Sequence, residues 1–128
     1  MIENDLHPIR KVVLAGLDKQ NAEFDYEMIE LANLAEANYM EVVGTVTQKL
    51  ERPNAATYFG KGKVEELKEA VEYYEADMVV TNDELSPSQI RNLESGTGAG
   101  IMDRTALILD IFASRAKTRV AKLQVAIA

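Results

Sequence analysis

The feature that most constrains the fold is a repeated change in the spacing of the apolar residues. Residues 11–17 form a short, nearly continuous apolar run with two valines, which is typical of a strand buried on both faces. The next apolar residues recur at i, i+3, i+4 and i+7, the spacing of one helix face: Met28, Leu31, Ala32 and Ala35. A strand followed by an amphipathic helix is the repeating unit of a parallel sheet.

The alternation continues along the chain. Residues 39–48 are rich in valine and threonine and predict a second strand, which ends before a loop that contains Pro53. Residues 78–81 predict a third, buried strand. Between them lies a second helical pattern, in which we place Glu65 and Glu66 in the first turn; its apolar residues are Val64, Leu67, Val71 and Tyr74.

Two further helices and a brief strand complete the pattern. Ser86, Pro87 and Gln89 have the spacing of a capping box with proline at the first helical position, so a helix begins there. Glycines 96, 98 and 100 bound its far end, residues 101–102 supply a fourth strand, and Asp103 caps a helix whose residues 106–113 we expect to be packed deep. The sequence therefore predicts an α/β fold with an approximately four-stranded, mostly parallel sheet and helices on both faces.

The last eleven residues have a different pattern. Val120, Leu123 and Ile127 follow an a-d-a heptad spacing, which predicts the start of a coiled-coil helix over residues 118–128, after an α/β domain over residues 1–117. Because this apolar stripe lacks a partner within the chain, we expect concentration-dependent dimerisation through it.

Composition and charge exclude several classes of protein. The chain has no cysteine and one histidine, which argues against a zinc site, and no apolar run is long enough to span a membrane. An acidic start without a signal-peptide pattern predicts a cytoplasmic protein. The formal net charge of −7 disfavours a general nucleic-acid binder, and acidic neighbours make Tyr73 and Tyr74 better candidates for packing than for base stacking.

Ligands of parallel α/β sheets bind beyond the carboxyl ends of the strands, where three loops are expected to converge. One holds Gly60, Lys61, Gly62 and Lys63, whose glycines and lysines at a helix start could bind a phosphate. The GxxxxGK[ST] spacing of a P-loop is absent, and an ordinary solvated turn has the same composition.

The other two loops form a predicted polar cluster at the strand ends. Its members could hold a hydrated metal or orient a substrate; they are Asn82, Asp83, Glu84, Asp103 and Thr105. Loop solvation and helix capping, with an ion pair from Arg104 to Asp83 or Glu84, explain the same residues. We assign no metal ligand and no catalytic residue.

Four blocks in order give the sequence a specific resemblance. They are residues 58–67 (YFGKGKVEEL), 82–94 (NDELSPSQIRNLE), 103–113 (DRTALILDIFA) and 122–125 (KLQV). Together they resemble the N-terminal domain of HflX-type ribosome-associated GTPases.

The resemblance implies a protein that binds the large ribosomal subunit and splits or rescues stalled ribosomes, with this domain reaching ribosomal RNA and packing with its own GTPase domain. GTP and Mg²⁺ would belong to that other domain, so the chain itself is not expected to be an enzyme. Basic residues outside the polar cluster are the expected phosphate contacts: Lys61, Lys63, Arg104, Arg115, Lys117 and Arg119. ATP binding at the Gly60–Lys63 loop is the alternative.

Overall fold

The computed structural model describes the backbone of residues 9–127 and the side chains of residues 9–117. Strands and helices alternate along this range. Their bounds are β1 Arg10–Asp18, α1 Phe24–Ala37, β2 Met40–Lys49, α2 Lys61–Tyr74, β3 Met78–Thr81, α3 Pro87–Thr97, β4 Gly100–Asp103 and α4 Arg104–Ile127.

The four strands form one parallel sheet in the order β2-β1-β3-β4. Helices α1 and α4 cover one face, where Leu31 and Leu107 are fully buried, and α2 and α3 cover the other, where Leu67 and Leu93 are fully buried. The predicted α/β class, the parallel sheet and the helices on both faces are confirmed. The chain reverses its direction across the sheet between β1 and β3, which is the topological switch point where such folds place ligands.

The local signals at the helix ends were mostly accurate. Ser86 and Gln89 form the predicted capping box, and Gly98 ends α3 in the left-handed conformation with φ of 75°. The assignment of Glu65 and Glu66 to a first turn was wrong, because α2 begins at Lys61 and has no acidic residue in its first turn.

The expectation that residues 106–113 are packed deep was also wrong. Leu107 and Ile111 are buried, but Leu109 and Phe112 are 62% and 63% exposed. Helix α4 contacts α1 and the sheet along one side only, so the apolar residues on its other side remain at the surface. The predicted coiled-coil stripe of Val120, Leu123 and Ile127 lies outside the described side chains, and dimerisation through it stays a prediction.

Candidate functional site

The loops at the carboxyl ends of the strands do converge, and their first contact joins Tyr58 to Asp83. The Tyr58 hydroxyl donates a hydrogen bond to the Asp83 carboxylate, whose Oδ2 also lies 3.2 Å from Nζ of Lys19. Burial and then the Asp83 carboxylate raise the pKa of Tyr58 far above its ordinary value, so the phenol remains a protonated donor. Lys19 was missed from the sequence, although it directly follows β1 and the same strand-end rule would have selected it.

A second set of contacts joins β3 to both helices on the opposite face. Buried Asn82 donates from Nδ2 to Glu27 Oε1 at 2.9 Å, and Arg104 Nη1 donates to Asn82 Oδ1 at 2.9 Å. Arg104 also donates to the Glu27 carbonyl oxygen at 3.3 Å and forms an ion pair with Glu30. The expected ion pair of Arg104 with Asp83 or Glu84 was wrong: α4 starts beside α1, while Asp83 turns towards Tyr58 on the α2 side.

Asp103 has the capping role predicted for it and one more. Its Oδ1 accepts from the Ala106 N–H at 2.9 Å, which caps α4, and its Oδ2 accepts from the buried Leu85 N–H at 3.1 Å. Asp103 is 7% exposed. One carboxylate therefore fixes both the start of α4 and the loop that follows β3, whereas Glu84 and Thr105 are exposed.

The loop between β2 and α2 is held by α3. Gln89 Nε2 donates to the Asn54 carbonyl oxygen at 3.2 Å, and Asn92 Nδ2 donates to the Ala56 carbonyl oxygen at 2.8 Å. The first two sequence blocks are joined instead by the hydrogen bond from Tyr58 to Asp83, and the contacts of Asp103 with Leu85 and of Arg104 with Asn82 add the third block. Within the described residues, every buried side-chain nitrogen or oxygen has a hydrogen-bond partner. Three of the five polar-cluster residues, Asn82, Asp83 and Asp103, therefore belong to an internal hydrogen-bond network that fixes the loops.

The Gly60–Lys63 loop lies at the start of α2 and is only partly available to a ligand. The Gly60 N–H donates to Gln48 Oε1 at 3.0 Å, and Lys63 Nζ lies 3.1 Å from Glu66 Oε1. Lys61 and Gly62 are exposed, and no side chain caps this helix start. Two of the four residues of this loop, Lys61 and Gly62, are therefore open to solvent.

The remaining predicted basic residues lie on α4, away from the polar cluster. Arg115 and Lys117 are exposed, eleven and thirteen residues beyond Arg104 on the same helix. At 1.5 Å per residue, they lie about 17–20 Å along the helix from Arg104. The side chain of Arg119 is outside the described residues. The predicted site residues thus occupy three places: the network, the start of α2 and the second half of α4.

The metal interpretation of the polar cluster gains no support. In the part of the chain whose side chains are described, no group of three or more His, Cys, Asp or Glu side chains is placed to hold a metal ion. Nor does any helix of that part have the length and apolar character needed to cross a membrane.

Comparison with known proteins gives consistent matches. A family model described as "GTP-binding GTPase N-terminal" matches residues 25–113. The GTPase HflX of Alkalihalophilus pseudofirmus is 51% identical over 122 residues, covering 94% of this chain and 29% of that protein. The GTPase HflX of Magnetococcus marinus is 40% identical over 130 residues, covering 100% of this chain and 30% of that protein.

A solved structure has the same fold. It is a GTP-binding protein from Sulfolobus solfataricus in complex with GDP, with a TM-score of 0.58, 23% identity, and coverage of 80% of this chain and 30% of that one. This chain therefore spans less than a third of the length of the relatives described.

Proposed function

The chain belongs to the family of HflX GTPases, in which it matches the N-terminal domain, and we propose that it contacts ribosomal RNA on the large ribosomal subunit in the cytoplasm. In the whole protein, the remaining part would bind GTP and Mg²⁺ and hydrolyse GTP while stalled ribosomes are split or rescued. This chain has no GxxxxGK[ST] segment to hold a nucleotide in the P-loop manner. Its own contribution would be binding and positioning.

The observation that carries the proposal is the change in character along α4. Up to Ile111 the helix packs on the domain, but residues 112, 113 and 115–117 are exposed. From residue 112 to residue 128 the sequence contains four basic residues and no acidic one: Arg115, Lys117, Arg119 and Lys122. We call residues 112–128 the basic arm. Arg115 and Lys117, the exposed cations in the described part of the arm, would direct RNA contact to it despite the acidic total charge, because exposed charges act over about a Debye length, ~8 Å at physiological salt.

Salt-dependent binding tests the arm. We expect the chain to bind large ribosomal subunits with a log–log salt slope of roughly −3 to −4, as about four phosphate contacts would give. The double variant Arg115→Glu with Lys117→Glu should bind more weakly and reduce the size of the slope by about two. Filter binding between 50 and 200 mM salt, roughly the range over which such contacts respond, measures both quantities.

The matched control changes the same amount of charge elsewhere. Lys49 and Lys68 are exposed on the body of the domain, and the double variant Lys49→Glu with Lys68→Glu should keep the parent's slope. Equal losses in the two double variants would mean that only net charge matters, and the arm would not be the contact.

A nucleotide site at the start of α2 is the second candidate. The observation in its favour is that Lys61 and Gly62 are exposed at a helix start without a side-chain cap, where backbone N–H groups and the helix dipole attract anions. Calorimetric titration with ATP and GTP in magnesium buffer should show binding that is lost in Lys61→Ala with Lys63→Ala. Absence of heat with the parent chain would remove this candidate.

The proposal also includes contact with the protein's own GTPase domain. Leu109 and Phe112 expose large apolar side chains on one side of α4, and relatives are more than three times as long as this chain. In a full-length protein, Leu109→Asp with Phe112→Asp should loosen the packing of the two domains. Hydrogen exchange should then rise in α4; unchanged exchange would place the GTPase domain elsewhere.

A further inference from the structure

Strand β2 is one of the two edge strands of the sheet, and no described strand pairs with its outer side. The Leu50 N–H donates to the Asp18 carbonyl oxygen at 3.1 Å, while the Asn82 N–H donates to the Ala15 carbonyl oxygen at 3.0 Å on the other side of β1. Since the directions of the backbone N–H and C=O groups alternate along a strand, the even-numbered residues from 44 to 50 direct these groups towards β1. Thr45 and Thr47 therefore direct their N–H and C=O groups outward, where no described strand pairs with β2.

This edge has few of the features that usually prevent strand addition. Natural edges are shortened, charged, kinked or interrupted by proline. Strand β2 has ten residues without proline, and its charged residues, Glu41 and Lys49, lie near its two ends. One bulge places Val43 between the residues paired with Val12 and Val13. The outer side of residues 44–48 is consequently a template for another extended segment.

A groove of about 700 Å³ runs beside this edge on the α2 side. Tyr74 lies over Gly44, where any Cβ would be 2.8 Å from a ring carbon, and Tyr73 packs edge-to-face on Tyr74 with ring centroids 4.8 Å apart. Tyr73 is nonetheless 81% exposed. Packing at the helix rim is thus confirmed for Tyr74, whereas Tyr73 presents its ring to the groove.

A second groove, of about 370 Å³, lies beside the same strand on the α1 side. It includes Tyr39, Met40 and Val42 and resembles the first in having a tyrosine and carboxylates. Neither groove has a lysine or arginine among its described lining residues, and together they have five glutamates: Glu36, Glu41, Glu66, Glu69 and Glu72. One of these, Glu66, is paired with Lys63.

We propose that the outer edge of β2 binds an extended, lysine- and arginine-rich segment of a partner protein as a fifth strand. Its backbone would hydrogen-bond to Thr45 and Thr47, and its alternate side chains would enter the two grooves. Carboxylates attract its cations, and the faces of Tyr39 and Tyr73 offer cation–π contacts. An RNA backbone would be repelled by the same carboxylates, and a second copy of this chain would bring two acidic edges together. Binding at this edge would not require the basic arm.

A basic peptide tests the proposal directly. The probe is a nine-residue peptide of three Lys-Lys-Thr repeats, capped at both ends, and binding is followed by calorimetry and by NMR shifts of the β2 amides. Shifts at Thr45 and Thr47 are expected. The control peptide has the same sequence with alternate backbone nitrogens methylated, which keeps the charges but prevents strand pairing. It should bind about tenfold more weakly or not at all, which corresponds to loss of at least one hydrogen bond.

Two changes in the protein separate the backbone from the charges. Thr45→Pro removes an outward N–H without removing a bond to β1, so the thermal midpoint should change little while binding falls about threefold to tenfold. Glu69→Gln with Glu72→Gln should also weaken binding. The matched control is Glu65→Gln with Glu94→Gln, two exposed glutamates outside both grooves, and it should bind like the parent.

Three results would overturn the proposal. One is equal affinity for the methylated and unmethylated peptides, which can be measured even if the proline variant fails to fold. Another is an equal loss of affinity in the two glutamine double variants. The third is self-association, or binding of a single-stranded RNA, that Thr45→Pro abolishes, because the edge would then serve another occupant.

Discussion

Replacing Asp103 by alanine, at the carboxyl end of β4, should destabilise the domain by about 2–4 kcal/mol. Two effects add. Loss of the N-cap bond to the Ala106 N–H costs about 1 kcal/mol, and the buried Leu85 N–H loses its partner at 3.1 Å, which costs about 1–3 kcal/mol. With a urea m-value of about 2 kcal/mol/M, in the middle of the usual range, the midpoint of unfolding should fall by roughly 1–2 M.

Two companion variants identify the cause. Asp103→Ser keeps a helix cap but is too short to reach Leu85, so it should be destabilised by about 1–3 kcal/mol, less than the alanine variant. Thr105→Ala, at an exposed neighbouring position, should change stability by less than about 0.5 kcal/mol. Urea unfolding followed by circular dichroism gives all three values. A loss below about 0.5 kcal/mol in Asp103→Ala would refute the reasoning, since neither hydrogen bond would then stabilise the fold.

Three further predictions concern the packing around α4 and between helices. Hydrogen bonding from Asn38 lowers the pKa of Asp110. The ionised carboxylate therefore stabilises the fold above the unfolded pKa of about 4, and this contribution is lost as pH falls through the folded pKa. In urea titrations, the difference in unfolding free energy between the parent and Asp110→Asn should accordingly narrow below about pH 4. Gly96→Val should lower the thermal midpoint, because even a Cβ at Gly96 would be 2.9 Å from Val64 Cγ1 and overpacking costs about 1–3 kcal/mol. An unchanged midpoint would contradict the close contact between α2 and α3. Leu107→Ala, at a fully buried position, should cost about 2–5 kcal/mol by urea unfolding, and a loss under 1 kcal/mol, roughly, would mean that α4 is not anchored there.

The strands and the capped helix start could be predicted because they depend on residues that are close together in the sequence. The period of the apolar residues located the strands, and β3 was placed at its observed bounds, residues 78–81. The capping box at Ser86 needed only a spacing of three residues. At Lys61 the helix start has no side-chain cap, and without that signal Glu65 and Glu66 were wrongly assigned to the first turn.

The partners of the polar residues could not be predicted, because they depend on which helix lies on which face. Arg104 pairs with Glu30, 74 residues earlier, since α1 and α4 share a face of the sheet. Likewise, Leu109 and Phe112 continue an apolar run whose spacing cannot show that only one side of α4 is covered. The open edge of β2 follows from the sheet order, and strand order has no local signal.

The contacts at the start of α4 determine the direction in which the basic arm leaves the domain. Arg104 is held by Glu30 and Asn82, and Asp110 is held by Asn38 Nδ2 at 2.6 Å and Arg10 Nη2 at 3.0 Å. These two points lie about 9 Å apart along the helix. A helix fixed at two points along its axis has one direction, so the internal network sets the direction of α4. If α4 contacts RNA as proposed, Asn82 and Arg104 would contribute by orienting the helix and would not need to touch the RNA.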